Sequence, residues 1–346
     1  MGLSLEGAVR GLHHITLVGG SYSVNHRFYT GLLGLRQVKL SVNQDDIFHR
    51  HVFYANPAKP TGSTITFFEW PHLPVGHPGL GSPHHLAYEV KSLEALARWK
   101  CFLEAGGFKV SGPHKAGGIV SIYFRDPDTS LLELTTSSED ASEQFILDLF
   151  NTTKAPPHPD SDMQLLRFHH VSPIVADAKL AARFAEKFLG LEMVEITSNP
   201  FNPENPLVLA GEPENTYLRY LVSQAAETGY VGRGSIHHVA LAVESDEDQK
   251  KMLRRLEKAS IHHSGVVDRF WFKSLYFRDF QGNLMEVATM GPGYDVDEPW
   301  ESLGSRLALP PWLEGARQMI ESRLAEQDKT SADAYPPNPP EPPETL

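Results

Sequence analysis

The chain has 346 residues and a mass of 38.5 kDa, a length that predicts about two domains. Its 31 basic and 43 acidic side chains give a formal net charge of −12, which disfavours nucleic acid or an anionic membrane surface as the main partner. Cys101 is the single cysteine and no apolar run approaches the roughly 18 residues of a membrane helix, so we expect a soluble, cytoplasmic protein without an internal disulfide.

The predicted elements alternate between strands and helices. A strand follows Gly11, a helix spans about 23–33, and strand-like segments follow at 51–54 and 63–70. Next come a helix at about 93–105, which two glycines end, and strands at 119–124 and 131–135. Further along, a helix at about 247–258 precedes strands at 275–277 and 284–288. These elements predict an α+β protein.

A repeated His-His doublet organises the sequence. Four doublets each open an apolar, strand-like run, and their second histidines are His14, His85, His170 and His238. The first and third of these lie 156 residues apart, and the second and fourth lie 153 apart. We infer a duplicated unit of two modules, and therefore four modules in all.

The repeat defines the predicted domain organisation. Modules one to four cover about 11–75, 82–137, 167–223 and 235–290. The first pair forms a domain at 1–150, residues 151–164 form a proline-containing linker, and the second pair forms a domain at 165–300. Residues 301–346 are expected to contain a helix at 313–325 and a proline-rich, disordered tail from Tyr335.

Two modules combine a strand histidine with a strand glutamate. His85 is followed by Glu133 and His238 by Glu286, in both cases 48 residues later. Imidazole and carboxylate groups that converge are typical of metal sites for Fe, Zn, Ni or Mn. The competing interpretation is that these are ordinary hydrogen-bonded strand histidines, which four doublets in register make less attractive.

Strand alternation selects one histidine of each doublet. Neighbouring side chains of a strand point to opposite faces. His14 and His238 share their faces with small or polar residues, whereas His13 and His237 share theirs with bulky apolar residues that belong in the core. The second histidine of each doublet is therefore the better ligand candidate. Alternation also predicts that His13 and His237 point away from the ligand histidines that follow them.

Several longer segments carry a family resemblance. They are 11–16 (GLHHIT), 28–31 (FYTG), 66–68 (TFF), 267–269 (VDR), 276–278 (YFR), 285–289 (MEVAT), 297–299 (DEP) and 309–311 (LPP). From Gly11 to about Trp312 the chain resembles the vicinal oxygen chelate superfamily, and most of all its ring-cleaving dioxygenases of the hydroquinone 1,2-dioxygenase type. The resemblance implies four βαβββ modules that form two curved mixed sheets.

The resemblance also implies a metal centre. Its ligands would be His14 from module one with His238 and Glu286 from module four, a facial triad for Fe(II), or alternatively Mn(II), with open positions for substrate and dioxygen. The implied reaction is an extradiol-type cleavage of hydroquinone or a substituted hydroquinone.

Further roles near the metal follow from the same resemblance. Arg269 would hold an anionic ring oxygen, and Tyr276 would steer the second oxygen or a proton. His13 and His237 would support the ligands or contact the substrate. Aromatic residues expected either near the ring or in the core are Phe270, Trp271, Phe272 and Phe280.

Glu69 leaves a four-ligand alternative open. As a fourth ligand it would make the site resemble that of glyoxalase I. Glu286 lies four residues after Gly282, whereas Glu69 lies seven after Gly62. If these glycines correspond, the two glutamates point to opposite faces, which favours three ligands.

A second metal site is also left open. His85, Glu133 and His170 would form a mirror triad from modules two and three. Arg269 has no counterpart there, because the residue 153 positions earlier is Ala116. The sequence therefore favours the site of modules one and four.

Three other functions compete with ring cleavage. A metal-dependent glyoxalase or isomerase would use Glu69 as a ligand, and a thiol transferase of the fosfomycin-resistance type would need a basic cluster that this acidic chain hardly shows. A non-catalytic resistance protein that binds a small molecule would need no metal. The oligomeric state stays open, although four modules in one chain allow a complete site in a monomer.

Overall fold

The structure is a computed structural model that describes residues 9–116, 118–198, 206–211 and 216–330. The predicted tail from Tyr335 lies outside these residues. The strands are β1 Leu12–Gly19, β2 Arg36–Asn43, β3 Asp46–Ala55, β4 Thr64–Glu69, β5 His85–Glu89, β6 Ser111–Ala116, β7 Ile119–Arg125, β8 Leu131–Ser137, β9 Phe168–Ser172, β10 Ile174–Val175, β11 Glu192–Ser198, β12 Pro206–Gly211, β13 Tyr217–Val222, β14 Ile236–Val243, β15 His263–Asp268, β16 Phe272–Arg278 and β17 Leu284–Pro292.

The helices are short. They are α1 Tyr22–His26, α2 Leu93–Ala105, α3 Glu143–Thr152, α4 Ala178–Phe184, α5 Asp246–Lys258 and α6 Arg317–Thr330. Turns of π-helix, Arg27–Leu32 and Ala185–Leu189, continue α1 and α4. In the described ranges, no helix combines the length and the apolar composition of a membrane span.

The helix predictions at 93–105 and 247–258 are confirmed as α2 and α5, the second of which starts one residue earlier. Both begin after a serine, Ser92 or Ser245, whose hydroxyl accepts a hydrogen bond from a backbone N–H of the first turn. The helix expected at 313–325 starts as a turn of 3-10 helix and continues as α6 to Thr330.

Strand lengths differ more from the predictions. The segment predicted at 51–54 is the end of the ten-residue β3, and β2 was not predicted at all. Both strands contain many polar residues, and their pairing with each other, rather than local apolar character, makes them strands.

Two curved mixed sheets contain these strands. The first sheet has the order β15-β16-β17-β14-β1-β4-β3-β2, and the second has the order β11-β12-β13-β9-β5-β8-β7-β6, with β10 paired to β13. Modules one and four thus form the first sheet, and modules two and three the second. The predicted fold class, α+β with four modules in two curved mixed sheets, is confirmed.

Two antiparallel pairings join the modules, β1 with β14 and β5 with β9. A β-bulge inserts one extra residue at three of the His-His doublets, and these extra residues are His13, His169 and His237. A bulge breaks strand alternation and re-aims the side chains around it. The prediction that His13 and His237 point away from the second histidines is wrong for this reason.

The apolar core lies against the faces of the sheets that carry Ile15, Leu17, Val239 and Leu241, all of them buried. The opposite face of the first sheet is covered in part by the C-terminal segment, residues 294–309, which packs on it through Tyr294, Leu303 and Ala308. Lys39 of β2 is buried there and donates to Asp297 and Glu298, the second contact being very short. This segment therefore closes the first sheet on the side where the small and polar residues lie.

Candidate metal centre

The three predicted ligands meet on adjacent strands. His14 lies on β1, His238 on β14 and Glu286 on β17, and all three side chains are buried. Glu286 Oε2 is 3.3 Å from His14 Nε2 and 3.0 Å from His238 Nε2. We call these residues the first triad. The structure brings together residues that are more than 220 positions apart in the sequence.

The first triad fits a divalent metal ion. Ligand atoms in adjacent coordination positions are each about 2.1 Å from the ion and therefore about 3 Å from one another. The two distances from Glu286 Oε2 to the histidine nitrogens agree with this spacing. His238 Nε2 and Glu286 Oε2 are buried, yet neither makes a well-formed hydrogen bond with any residue that the structure describes. Ser274 Oγ donates to the other carboxylate oxygen, Oε1, at 2.5 Å. One carboxylate oxygen is therefore held in place while the other is left to a ligand.

The charge of Glu286 supports the same interpretation. Burial alone would raise the pKa of Glu286, but the imidazoles of His14 and His238 hold it well below its ordinary value. The carboxylate is therefore ionised. Among the described residues, no Lys or Arg lies within ion-pair distance of it. A buried anion without a cation is costly, and a bound metal ion would supply the missing charge.

The first histidine of each doublet supports the second. His13 Nδ1 lies 2.8 Å from His14 Nδ1, and His237 Nδ1 lies 2.8 Å from His238 Nδ1. Burial is the main reason why the pKa values of His13 and His237 fall to about 3, so both are neutral. If Nε2 of the ligand histidine binds a metal, its proton is on Nδ1 and is donated to the partner.

Arg269 and Tyr276 lie together at the edge of the same site. The Arg269 guanidinium is 5.4 Å from the centroid of the Tyr276 ring and donates to Asp45 at 2.8 Å. The Tyr276 ring meets that of His238 edge to face, with the centroids 5.7 Å apart. Burial raises the pKa of Tyr276, so its hydroxyl is protonated at neutral pH. Both predicted residues therefore face the first triad.

A cavity opens beside the first triad. The residues that line it are His14, Asn43, Gln44, Asp45, His51, Phe53, Phe68, His238, Arg269, Trp271, Phe272 and Tyr276. Of the four aromatic residues expected near the ring, Trp271 and Phe272 line the cavity. Phe270 packs on Trp271 instead, and Phe280 is partly exposed beside Phe184.

His51 is a cavity residue that the sequence did not reveal. It lies on β3 with its ring between those of Phe53 and Phe68, at centroid distances of 4.1 and 4.4 Å. His51 Nε2 shares a 2.8 Å hydrogen bond with Thr66 Oγ1, and Nδ1 makes no hydrogen bond with the described residues. Burial lowers the pKa of His51 well below its ordinary value, so the ring is neutral. The available signal in the sequence was a histidine two residues before Phe53 in a strand-like segment.

Glu69 points away from the first triad, as predicted. Its carboxylate accepts hydrogen bonds from Arg50 Nη1 at 2.8 Å and from the backbone N–H of Tyr22 at 2.9 Å. In β4, Thr66 and Phe68 face the site, and Glu69 lies on the other face of the strand. The four-ligand arrangement of a glyoxalase-type site is therefore not formed.

The mirror triad is also brought together. Glu133 Oε2 lies 2.9 Å from His85 Nε2 and 3.1 Å from His170 Nε2, and all three side chains are buried. We call these residues the second triad. They lie on β8, β5 and β9 of the second sheet.

Comparisons with known proteins agree with this fold and site. The model of the Glyoxalase/Bleomycin resistance protein/Dioxygenase superfamily matches residues 11–134 and 167–287. A Bacillus subtilis protein that is provisionally named ring-cleaving dioxygenase MhqA is 32% identical over 91% of this chain and 98% of its own length. The chlorohydroquinone/hydroquinone 1,2-dioxygenase of Sphingobium indicum is 25% identical over 92% of this chain and 97% of its own length.

A solved structure shows the same similarity. It is the crystal structure of a Bacillus subtilis protein provisionally described as a dioxygenase, which superposes with a TM-score of 0.77 at 29% identity. The match covers 92% of this chain and 97% of that one.

The chain belongs to the Glyoxalase/Bleomycin resistance protein/Dioxygenase superfamily, the family that the sequence resemblance indicated. Within it, the curated relatives are named as ring-cleaving dioxygenases, which confirms the prediction of a dioxygenase enzyme.

Proposed function

We propose that the protein is an Fe(II)-dependent, extradiol-type dioxygenase that cleaves the ring of hydroquinone or a substituted hydroquinone. The observation that carries the proposal is the first triad, which opens into a cavity with aromatic walls, a cation and two hydrogen-bonding groups. The name of the Sphingobium relative supports the choice of substrate.

His14, His238 and Glu286 would hold the metal, with His13 and His237 fixing the orientation of the two imidazoles. Two histidines and one carboxylate are the ligands typical of non-haem Fe(II) oxygenases, and Mn(II) is the alternative ion. When bound, the ion would supply the path for electrons between the ring and dioxygen. The direct reaction of the ring with dioxygen is slow because it is spin-restricted.

The cavity suits a flat aromatic diol. Phe68, Trp271 and Phe272 offer ring faces and edges to the substrate ring. Arg269, which donates to Asp45 through one nitrogen, has further N–H groups in the same space, and these would favour a deprotonated ring oxygen. This combination would favour an aromatic phenolate as the ligand.

Two neutral groups would manage protons and the second oxygen of the diol. The protonated hydroxyl of Tyr276 could donate a hydrogen bond to the substrate, and Nδ1 of His51, which has no partner among the described residues, could accept one. Because Thr66 holds His51 by its other nitrogen, that acceptor has a fixed direction in the cavity.

Oxygen uptake tests the proposal. The protein is reconstituted with Fe(II) under anaerobic conditions, its metal content is measured, and hydroquinone, methylhydroquinone, chlorohydroquinone and catechol are offered in turn. Uptake with hydroquinones and little with catechol supports the proposal. A fully iron-loaded protein that consumes no oxygen with any diol would contradict it, and the glyoxalase reaction would then be assayed.

A further inference from the structure

The second triad repeats the geometry of the first. The glutamate oxygen lies 2.9 and 3.1 Å from its two histidines there, against 3.0 and 3.3 Å in the first triad. Ser121 donates to Glu133 at 2.5 Å, as Ser274 does to Glu286. Both triads thus have two histidines, one carboxylate and one supporting hydroxyl.

One residue differs between them in a way that concerns the metal. In β4, Thr64 pairs with His14, and in β13, Tyr217 pairs with His170. Two residues further along these strands, the first sheet has Thr66 and the second has Arg219. An uncharged hydroxyl in the first sheet therefore corresponds to a guanidinium in the second.

Arg219 reaches into the second triad. Its side chain is buried, and Nη1 lies 3.6 Å from Glu133 Oε1 and 3.4 Å from His170 Nε2. A guanidinium N–H only donates hydrogen bonds, so His170 Nε2 must offer it a lone pair. That lone pair is the one a metal ion would need. Arg219 thus engages His170 Nε2, one of the three atoms that would bind a metal, and it also lies beside the Glu133 oxygen to which Ser121 donates.

The balance of charge agrees with the contacts. Glu133 is ionised, because its neighbours, Arg219 among them, hold its pKa well below the ordinary value although burial alone would raise it. The guanidinium keeps its positive charge at every accessible pH and so neutralises this buried carboxylate permanently. Glu286 of the first triad has no such partner among the described residues.

We propose that Arg219 is the resident cation of the second triad, where it takes the place of a metal and keeps the triad metal-free. The second triad is then a latent metal site, which becomes competent when a short neutral residue such as Thr replaces Arg219. The inference concerns the second sheet and does not depend on the reaction at the first triad.

Metal stoichiometry tests this inference without an activity assay. The apoprotein is loaded with Co²⁺ in excess, freed of unbound ion and analysed by mass spectrometry for metal and by visible absorption for the coordination. The wild type is expected to hold one ion per chain, Arg219→Thr two, and Arg219→Lys, which keeps a charge, one. The second ion of Arg219→Thr should disappear when Glu133→Gln is added.

Two outcomes overturn the inference. One is a folded Arg219→Thr protein that still binds a single ion at saturating Co²⁺. The other is a wild type with two ions per chain, one of which is lost in His85→Gln. The wild-type measurement decides even if Arg219→Thr does not fold. If the wild type holds one ion, and this ion is lost in Glu286→Gln but kept in His85→Gln, the second triad is metal-free, as we propose.

Discussion

His13 and His14, adjacent in the sequence, share a hydrogen bond between their Nδ1 atoms at 2.8 Å. Neighbours in a regular strand point to opposite faces and cannot make this contact. The bulge at His13 in the pairing of β1 with β14 permits it. His13 also bonds to the backbone of Thr289, so that the ligand histidine is tied through its neighbour to β17.

Replacing His13 tests the value of this hydrogen bond. We expect His13→Ala to weaken metal binding about 10- to 100-fold, because outer partners of ligand histidines fix the ring and its tautomer. A competition titration with a metal chelator measures the affinity. The matched control is His169→Ala, which removes the same bond from His170 of the second triad. Equal effects of the two substitutions on metal affinity would contradict the assignment.

Removing a ligand of the first triad should remove the metal. Glu286→Gln keeps the shape of the side chain but loses the charge that balances a divalent ion, so we expect no retained iron after gel filtration. The corresponding change in the second triad, Glu133→Gln, is the control and should leave the iron content unchanged. Iron analysis that finds full occupancy in Glu286→Gln would place the metal elsewhere.

The candidate ligands could be predicted from the sequence because duplication preserves their spacing. His238 and Glu286 lie 48 residues apart, as His85 and Glu133 do, and both pairs meet in space. The orientation of His13 could not be predicted, since its bulge arises only when β1 pairs with β14, more than 200 residues away. The sequence showed one difference between the mirror sites, the missing counterpart of Arg269. It did not show the role of Arg219, which comes to lie beside Glu133 only when β13 pairs with β9.

Glu69 provides a test between three and four ligands. Because its carboxylate bonds to Arg50 and to the backbone of Tyr22, we expect Glu69→Gln to leave metal affinity within about twofold. The same change should lower the free energy of unfolding by about 1–3 kcal/mol, since Arg50 loses a buried charged partner. Chelator competition and urea denaturation measure the two effects. A tenfold loss of affinity, about 1.4 kcal/mol, would restore the four-ligand interpretation.

His51 should matter for turnover and not for metal binding. It lines the cavity without belonging to the first triad, so we expect His51→Ala to lower kcat for hydroquinone about 100-fold or more, the range for a lost general acid or base. Iron content should stay at the wild-type level. His49, two residues earlier on β3 and paired with Asp46, is the control, and His49→Ala should change kcat little. Loss of iron in His51→Ala would instead indicate a structural role.

Arg269 should act on substrate binding. A hydrogen bond to a charged group contributes about 1.5–3 kcal/mol, and tenfold in an equilibrium constant corresponds to about 1.4 kcal/mol. We therefore expect Arg269→Gln to raise KM for hydroquinone about 10- to 100-fold while the iron content is kept. Arg254→Gln, an exposed arginine of α5 paired with Glu247, is the control and should leave KM unchanged. Steady-state oxygen uptake over a range of hydroquinone concentrations gives KM. If KM stays the same and only kcat falls, Arg269 does not hold the substrate oxygen in the ground state, and its charge instead acts later in the reaction.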